Sequence, residues 1–176
     1  GETAEYRLAE EFQKIRPPAE VWLLRIPESA INAWLATRLP AWLRGRDIDW
    51  PDGLGVPQVR AQTGRLTVAM PTAALGGRTG LLTLRPRIKS GMLSCSVTGG
   101  IGRVPLPVAD RIVRTALAAN LPDSEHLAAV SSAIAGDPVD PVFPLIDARA
   151  VTLTSVTCEP GAIIIAARTA AADAGD

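Results

Sequence analysis

Apolar residues change their spacing several times along this chain, and each change marks an element. Over residues 1–16, Leu8, Phe12 and Ile15 recur at intervals of four and three, one narrow stripe on a charged helix that Pro17 and Pro18 stop. This lead-in is either a spacer leaving a membrane anchor or a surface helix. Val21 to Ile26 is a short apolar strand. Pro27 and Glu28 then suit a helix start, and a helix is predicted from Glu28 to about Leu39. Ile31, Trp34, Leu35 and Leu39 form its core-facing stripe, and Pro40 must kink or end it.

Residues 45–58, with Gly45, Pro51, Gly53, Gly55 and Pro57, read as loop. The period then falls to two. Leu66, Val68 and Met70 alternate with Arg65, Thr67 and Ala69. Leu82, Leu84 and Ile88 alternate with Thr83, Arg85 and Arg87, while Pro86 requires an edge or a bulge. Leu93, Cys95 and Val97 alternate with Ser94, Ser96 and Thr98 after a tight reversal at Ser90-Gly91. The pattern predicts an antiparallel meander with one wet face. Helices follow over 107–119 and 124–135, then a stiff Pro-rich connector over 136–144. A closing hairpin runs from Val151 to Cys158, turns at Pro160-Gly161, and returns through Ile163 to Ala166. The expected fold is α+β: a curved antiparallel sheet, meander plus C-terminal hairpin, packed on a long N-terminal helix and one or two shorter helices. Residues 1–18 are the lead-in, 19–169 a single domain and 170–176 a frayed tail.

Composition narrows the function classes. Apolar residues at 47% and charged residues at 20% belong to a globular chain. Basic and acidic residues balance at 18 each, which removes the bulk electrostatic case for nucleic acid and leaves only a local basic patch open. No apolar run approaches the ~18 residues of a membrane span. The chain opens at Gly1 without methionine, which points to a removed N-terminal segment and to membrane association through it. Cys95 and Cys158 are two buried thiols or one disulfide.

Catalytic constellations are nearly lacking. His126 is the single histidine, so histidine-based metal clusters and zinc-protease helices are excluded, and no metal site or cofactor is expected. Gly99-Gly100-Ile101-Gly102 lacks the helix start that a phosphate loop needs and reads as a bend or bulge in a strand. The pairs Asp47/Asp49 and Asp137/Asp140 lie in Pro-containing loops as solvated charge. Trp22, Trp34, Trp42 and Trp50 are interleaved with Arg25, Arg38, Arg44 and Arg46, a combination found at membrane interfaces and equally in cores with a charged rim. Trp22 and Trp34 are assigned to the core. Arg38 falls on the apolar side of its helix and must snorkel, find a partner or meet an anionic ligand group.

The stretch Ile26-Pro27-Glu28-Ser29-Ala30-Ile31-Asn32-Ala33-Trp34-Leu35-Ala36 resembles the helix opening of YpmS-like and YceB-like bacterial envelope proteins. Val104-Pro105-Leu106-Pro107 before a helix, and the terminal hairpin, continue the likeness, which covers most of residues 21–169. Pro40 and the Pro-rich connector depart from it. These families resemble the tubular lipid-binding (TULIP) architecture, a curved sheet wrapped around a long helix. The resemblance implies a non-enzymatic envelope protein, periplasmic or membrane-anchored, that binds a lipid or other apolar molecule. Ile31, Trp34, Leu35, Arg38 and Leu39 would form one wall of the groove, and Leu66, Val68, Leu82, Leu84, Leu93 and Val97 the other. The alternative is an interaction or scaffold domain with a filled core and a protein partner.

Overall fold

The computed structural model describes residues 2–17, 20–45, 52–73, 76–101, 104–106, 132–133, 136–145, 147 and 149–170. These residues build an α+β fold of two antiparallel sheets with short helices. In chain order the elements are α1 (Glu2–Gln13), β1 (Val21–Pro27), α2 (Glu28–Thr37), α3 (Leu39–Arg44), β2 (Gln58–Gln62), β3 (Arg65–Pro71), β4 (Thr79–Lys89), β5 (Met92–Ile101), β6 (Val104–Leu106), β7 (Val142–Pro144), β8 (Ala150–Glu159) and β9 (Ala162–Ala170). A four-stranded sheet has the order β1-β9-β8-β7, and a five-stranded sheet the order β2-β3-β4-β5-β6. The meander and the closing hairpin therefore lie in separate sheets, not in one.

The four-stranded sheet carries the deepest core. β1 pairs with β9 so that Trp22 lies opposite Ala167, Leu24 opposite Ile165 and Ile26 opposite Ile163. Trp22, Leu24, Val151, Leu153 and Ala167 form a buried cluster, with Leu8 and Phe12 of α1 and Ile88 of β4 packed against it. Alanine at 167, opposite Trp22, leaves room for the indole. The Phe12 and Trp22 rings meet edge to face at 5.5 Å. The indole Nε1 donates to the buried Thr169 Oγ1 at 3.1 Å, satisfying both polar groups. The Arg16 guanidinium lies over the same ring at 4.2 Å. Arg149, from the approach to β8, donates to the Gln13 and Lys14 carbonyls at 3.0 Å each, capping the end of α1. Helix α1 is thus docked on the core, but Ile15 falls beyond its end and is 90% exposed, outside the expected stripe.

The expected long helix is two short ones of ten and six residues. Proline at position 40 has no N–H for the Ala36 carbonyl and crowds the preceding turn, so α2 ends at Thr37. Arg38, at φ −108°, forms the joint, and α3 restarts with Pro40 in its first turn. Trp34 and Trp42 still meet across the joint, ring centroids 6.4 Å apart.

Within the five-stranded sheet, β4 and β5 pair without a register shift from Lys89↔Met92 to Gly80↔Ile101. Ser90 (φ 51°) and Gly91 (φ 77°) both adopt left-handed angles, the geometry of a two-residue reversal. Pro86 causes no bulge. Counting alternate pairs from this reversal turns its missing N–H away from β5, toward a side where β3 has already ended at Leu66↔Leu84. Gly99 and Gly100 are also regularly paired, opposite Leu82 and Leu81, so no bend falls at these two, and Gly102 lies outside the described residues. The bulge occurs instead between Leu153 and Ser155 of β8. Three short strands, β2, β6 and β7, were not anticipated. The wet face is interrupted, not lost: Arg60, Arg65, Arg87, Ser96 and Thr98 are exposed on it, whereas Leu66 to Met70 and Thr79 to Pro86 are half-buried on both faces. The helices expected over 107–119 and 124–135 lie outside the described residues except for helical positions 132–133. Strand β9 extends to Ala170, and the tail beyond it also lies outside them.

Candidate functional site

Cross-strand register decides which side chains share a wall. Val59 faces Val68, which faces Leu82; Ala61 faces Leu66, which faces Leu84, which faces Val97. Leu93 lies opposite Ile88 on the same side. All six sheet residues assigned to the apolar wall therefore share one face, and each is half-buried. On the helical side, Ile31, Trp34, Leu35, Arg38 and Leu39 are likewise half-buried, and α2 contains no fully buried residue.

The helix is set against the sheet by two polar side chains one turn apart. Asn32 donates from Nδ2 to the Val59 carbonyl at 2.8 Å and accepts the Val59 N–H at 2.6 Å. Glu28 Oε2 accepts the Ala61 N–H at 2.7 Å. The Ala61 carbonyl takes the Gly161 N–H at 3.1 Å, and the Glu28 N–H donates to the Gly161 carbonyl at 2.8 Å. Val59 and Ala61 belong to the non-hydrogen-bonded pairs of the β2–β3 ladder, so their amides point outward along the sheet edge. Side chains of α2 and the β8–β9 turn thus occupy an edge that would otherwise pair with another strand. Asn32 was singled out in the sequence only as part of a short resemblance; its work on the β2 edge was missed because residues 59–62 were assigned to no element and Gln58 to the preceding loop.

Three clefts border these elements. One of about 700 Å³ lies between α1, β1 and the start of α2, lined by Leu8, Leu23, Leu24 and Ile26 with Arg7, Glu10 and Arg25 at its rim. A second of about 500 Å³ lies between Phe12, Ile15 and Leu145. The third, of about 680 Å³, lies where the β2–β3 hairpin meets the β8–β9 turn and is lined by Arg60, Arg65 and Arg85 with Glu28. None of the three includes the residues assigned to the apolar wall. The arginines were missed because the even charge total hid their grouping: six of the eighteen cationic residues and none of the eighteen acidic ones fall within 58–101.

Reactive groups are sparse. Cys95 and Cys158 are free and buried. Burial pushes both thiols above their ordinary 9.0; at Cys95 a backbone hydrogen bond from Arg85 opposes the rise and the neighbouring Cys158 adds to it. Protonated thiols at neutral pH are poor nucleophiles. Asp137 and Asp140 are exposed, whereas Asp47, Asp49, Trp50 and His126 lie outside the described residues. Among the described residues no three His, Cys, Asp or Glu side chains gather as a metal site, and no helix is long and apolar enough to cross a membrane. No family model matches the chain, and no curated protein or solved structure is found to be similar to it.

Proposed function

We propose that the protein is a non-enzymatic binder of a lipid or other apolar ligand, held between the α2–α3 segment and the apolar face of the five-stranded sheet, at a bacterial envelope. One observation carries this reading: Leu66, Val68, Leu82, Leu84, Leu93 and Val97 share a face, and all keep part of their apolar surface uncovered. Completing that burial with a ligand chain is favourable by roughly 25 cal/mol per Å². The resemblance of the α2 opening to YpmS-like and YceB-like proteins supports the envelope location and membrane tethering.

The test is uptake of a fluorescent fatty acid by the purified chain, alongside native mass spectrometry after mild extraction from cells. Saturable uptake and a co-purified lipid mass are expected, with Leu84→Gln weakening uptake by about tenfold, the equivalent of one buried leucine. A ligand-free mass together with no uptake sinks the reading.

A second reading, a protein-interaction domain, rests on β1. This strand edges the four-stranded sheet, and its Val21 and Leu23 are exposed, Leu23 at 68%. Concentration-dependent dimerisation that Leu23→Lys abolishes favours it.

A further inference from the structure

We infer that the cleft between the β2–β3 hairpin and the β8–β9 turn is a binding site for a phosphate monoester group. The inference does not depend on the apolar wall. Arg60, Arg65 and Arg85 come from three consecutive strands and line one concave space of about 680 Å³, closed on its far side by Pro160 and Gly161. Strand alternation accounts for their convergence. Arg60 and Arg85 are in the strand positions next to Ala61 and Leu84, so they project from the face opposite the apolar wall. Arg65, beside Leu66, projects the same way.

The charge balance names the ligand. Among the described residues neither Arg60 nor Arg85 has a carboxylate partner. Arg65 is held through Nε by the Gln62 side-chain oxygen at 2.9 Å, which orients its guanidinium and leaves its charge uncancelled. Among the described residues Glu28 is the one acidic residue lining the cleft, and its Oε2 is committed to the Ala61 N–H. Three permanent cations against one carboxylate leave two positive charges. A phosphate monoester carries roughly −1.5 to −2 near neutral pH and offers three acceptor oxygens. A carboxylate or a phosphodiester supplies a single charge and leaves one guanidinium unanswered. Guanidinium forks also match phosphate oxygens in pairs, which suits a cleft built from arginine. Arg87 and Lys89 continue the cationic face along β4 and steer anions toward it.

A phosphomonoester reaches such a cleft as a soluble ester or as the headgroup of phosphatidic acid, and two measurements separate these. The full chain is titrated calorimetrically with glycerol phosphate, and floated with phosphatidylcholine vesicles containing either phosphatidic acid or the diester lipid phosphatidylglycerol. Saturable binding of glycerol phosphate alone assigns a soluble ligand; flotation with phosphatidic acid alone assigns a headgroup; either supports the site. Arg60→Gln and Arg85→Gln are each expected to weaken binding about tenfold or more, the loss of one charge-assisted hydrogen bond. Arg78→Gln, exposed and outside the cleft, should bind as the parent does. Should Arg85→Gln fail to fold, the exposed Arg60 decides the question. Silence in both arms, equal flotation with phosphatidylglycerol, or undiminished binding by Arg60→Gln overturns the inference. Fatty-acid uptake should be unchanged in these variants, so the two proposals fail separately.

Discussion

The two sheets of this molecule use similar residues to different ends. In the four-stranded sheet, apolar side chains from β1, β8 and β9 close on one another and on α1; Val151 and Ala167 are wholly buried and Trp22 nearly so. In the five-stranded sheet, a longer row of leucine and valine lies on one face without any leucine being fully covered, and arginines crowd the other face. A closed cluster returns its free energy to folding. An apolar face left partly open returns less. The closed cluster and the half-open face thus belong to separate sheets, which meet through Ile88 packed on the Trp22 cluster and through the hydrogen bonds of Glu28, Asn32 and Gly161.

The sharpest way to break this contrast is to remove one large side chain from each sheet. Trp22→Ala deletes the ring that Phe12, Arg16 and Thr169 all meet, and leaves the Thr169 hydroxyl buried without its donor. Its expected cost is about 3–5 kcal/mol, in the range for truncating a core aromatic. Leu84→Ala, on the half-open face, should cost about 2 kcal/mol or less. Urea denaturation of both variants measures the difference. Equal losses would abolish the distinction between a closed core and a half-open face.

The seam gives the next largest effect. Asn32→Ala removes both hydrogen bonds to Val59 and leaves an outward N–H and carbonyl on the β2 edge. A loss of roughly 1–3 kcal/mol is expected from the unsatisfied groups. Because an unblocked edge templates another strand, the variant should also self-associate, which size-exclusion chromatography across a concentration series detects. A variant that stays monomeric with unchanged stability would show that the helix merely lies beside the sheet.

Much of this was readable in the residues, and the failures have physical causes. Strands with strict alternation, such as Leu66-Val68-Met70 and the hairpin through Pro160-Gly161, emerged because a period of two together with turn residues leaves few other solutions. Strand β2 was lost because Gln58-Val59-Arg60-Ala61-Gln62 offers just two apolar positions; it is a strand because its neighbours complete its hydrogen bonds, a tertiary effect. The division into two sheets was equally hidden, since local pattern cannot say which strands share a ladder. That Leu66, Val68, Leu82, Leu84, Leu93 and Val97 share a face was legible from alternation alone. The arginine cleft was not, because its members are spread over residues 60–85 and converge only once β2, β3 and β4 are in register.

The smallest expected effect concerns how α1 is held to the closed sheet. Glu11 pairs with Lys14 and, at 2.7 Å, with Arg16, the residue stacked over Trp22. The Lys14 hydrogen bond above all, together with the charges of Lys14 and Arg16, lowers its carboxyl below the ordinary 4.5. A depressed folded value means that the stabilising contribution is complete above about pH 4.5 and fades as pH falls through the lowered value. The carboxylate is exposed, so solvent and salt screen the pair and the contribution is slight. Glu11→Gln should therefore melt a little below the parent at pH 7, and the two melting curves should converge on acidification. Tryptophan fluorescence is the suitable probe, since Arg16 lies against one indole. If the gap persists at the acid end of the series, where both curves have stopped changing with pH, the ion pair is not what positions Arg16, and α1 is held to the closed sheet by Phe12, Leu8 and the Arg149 cap.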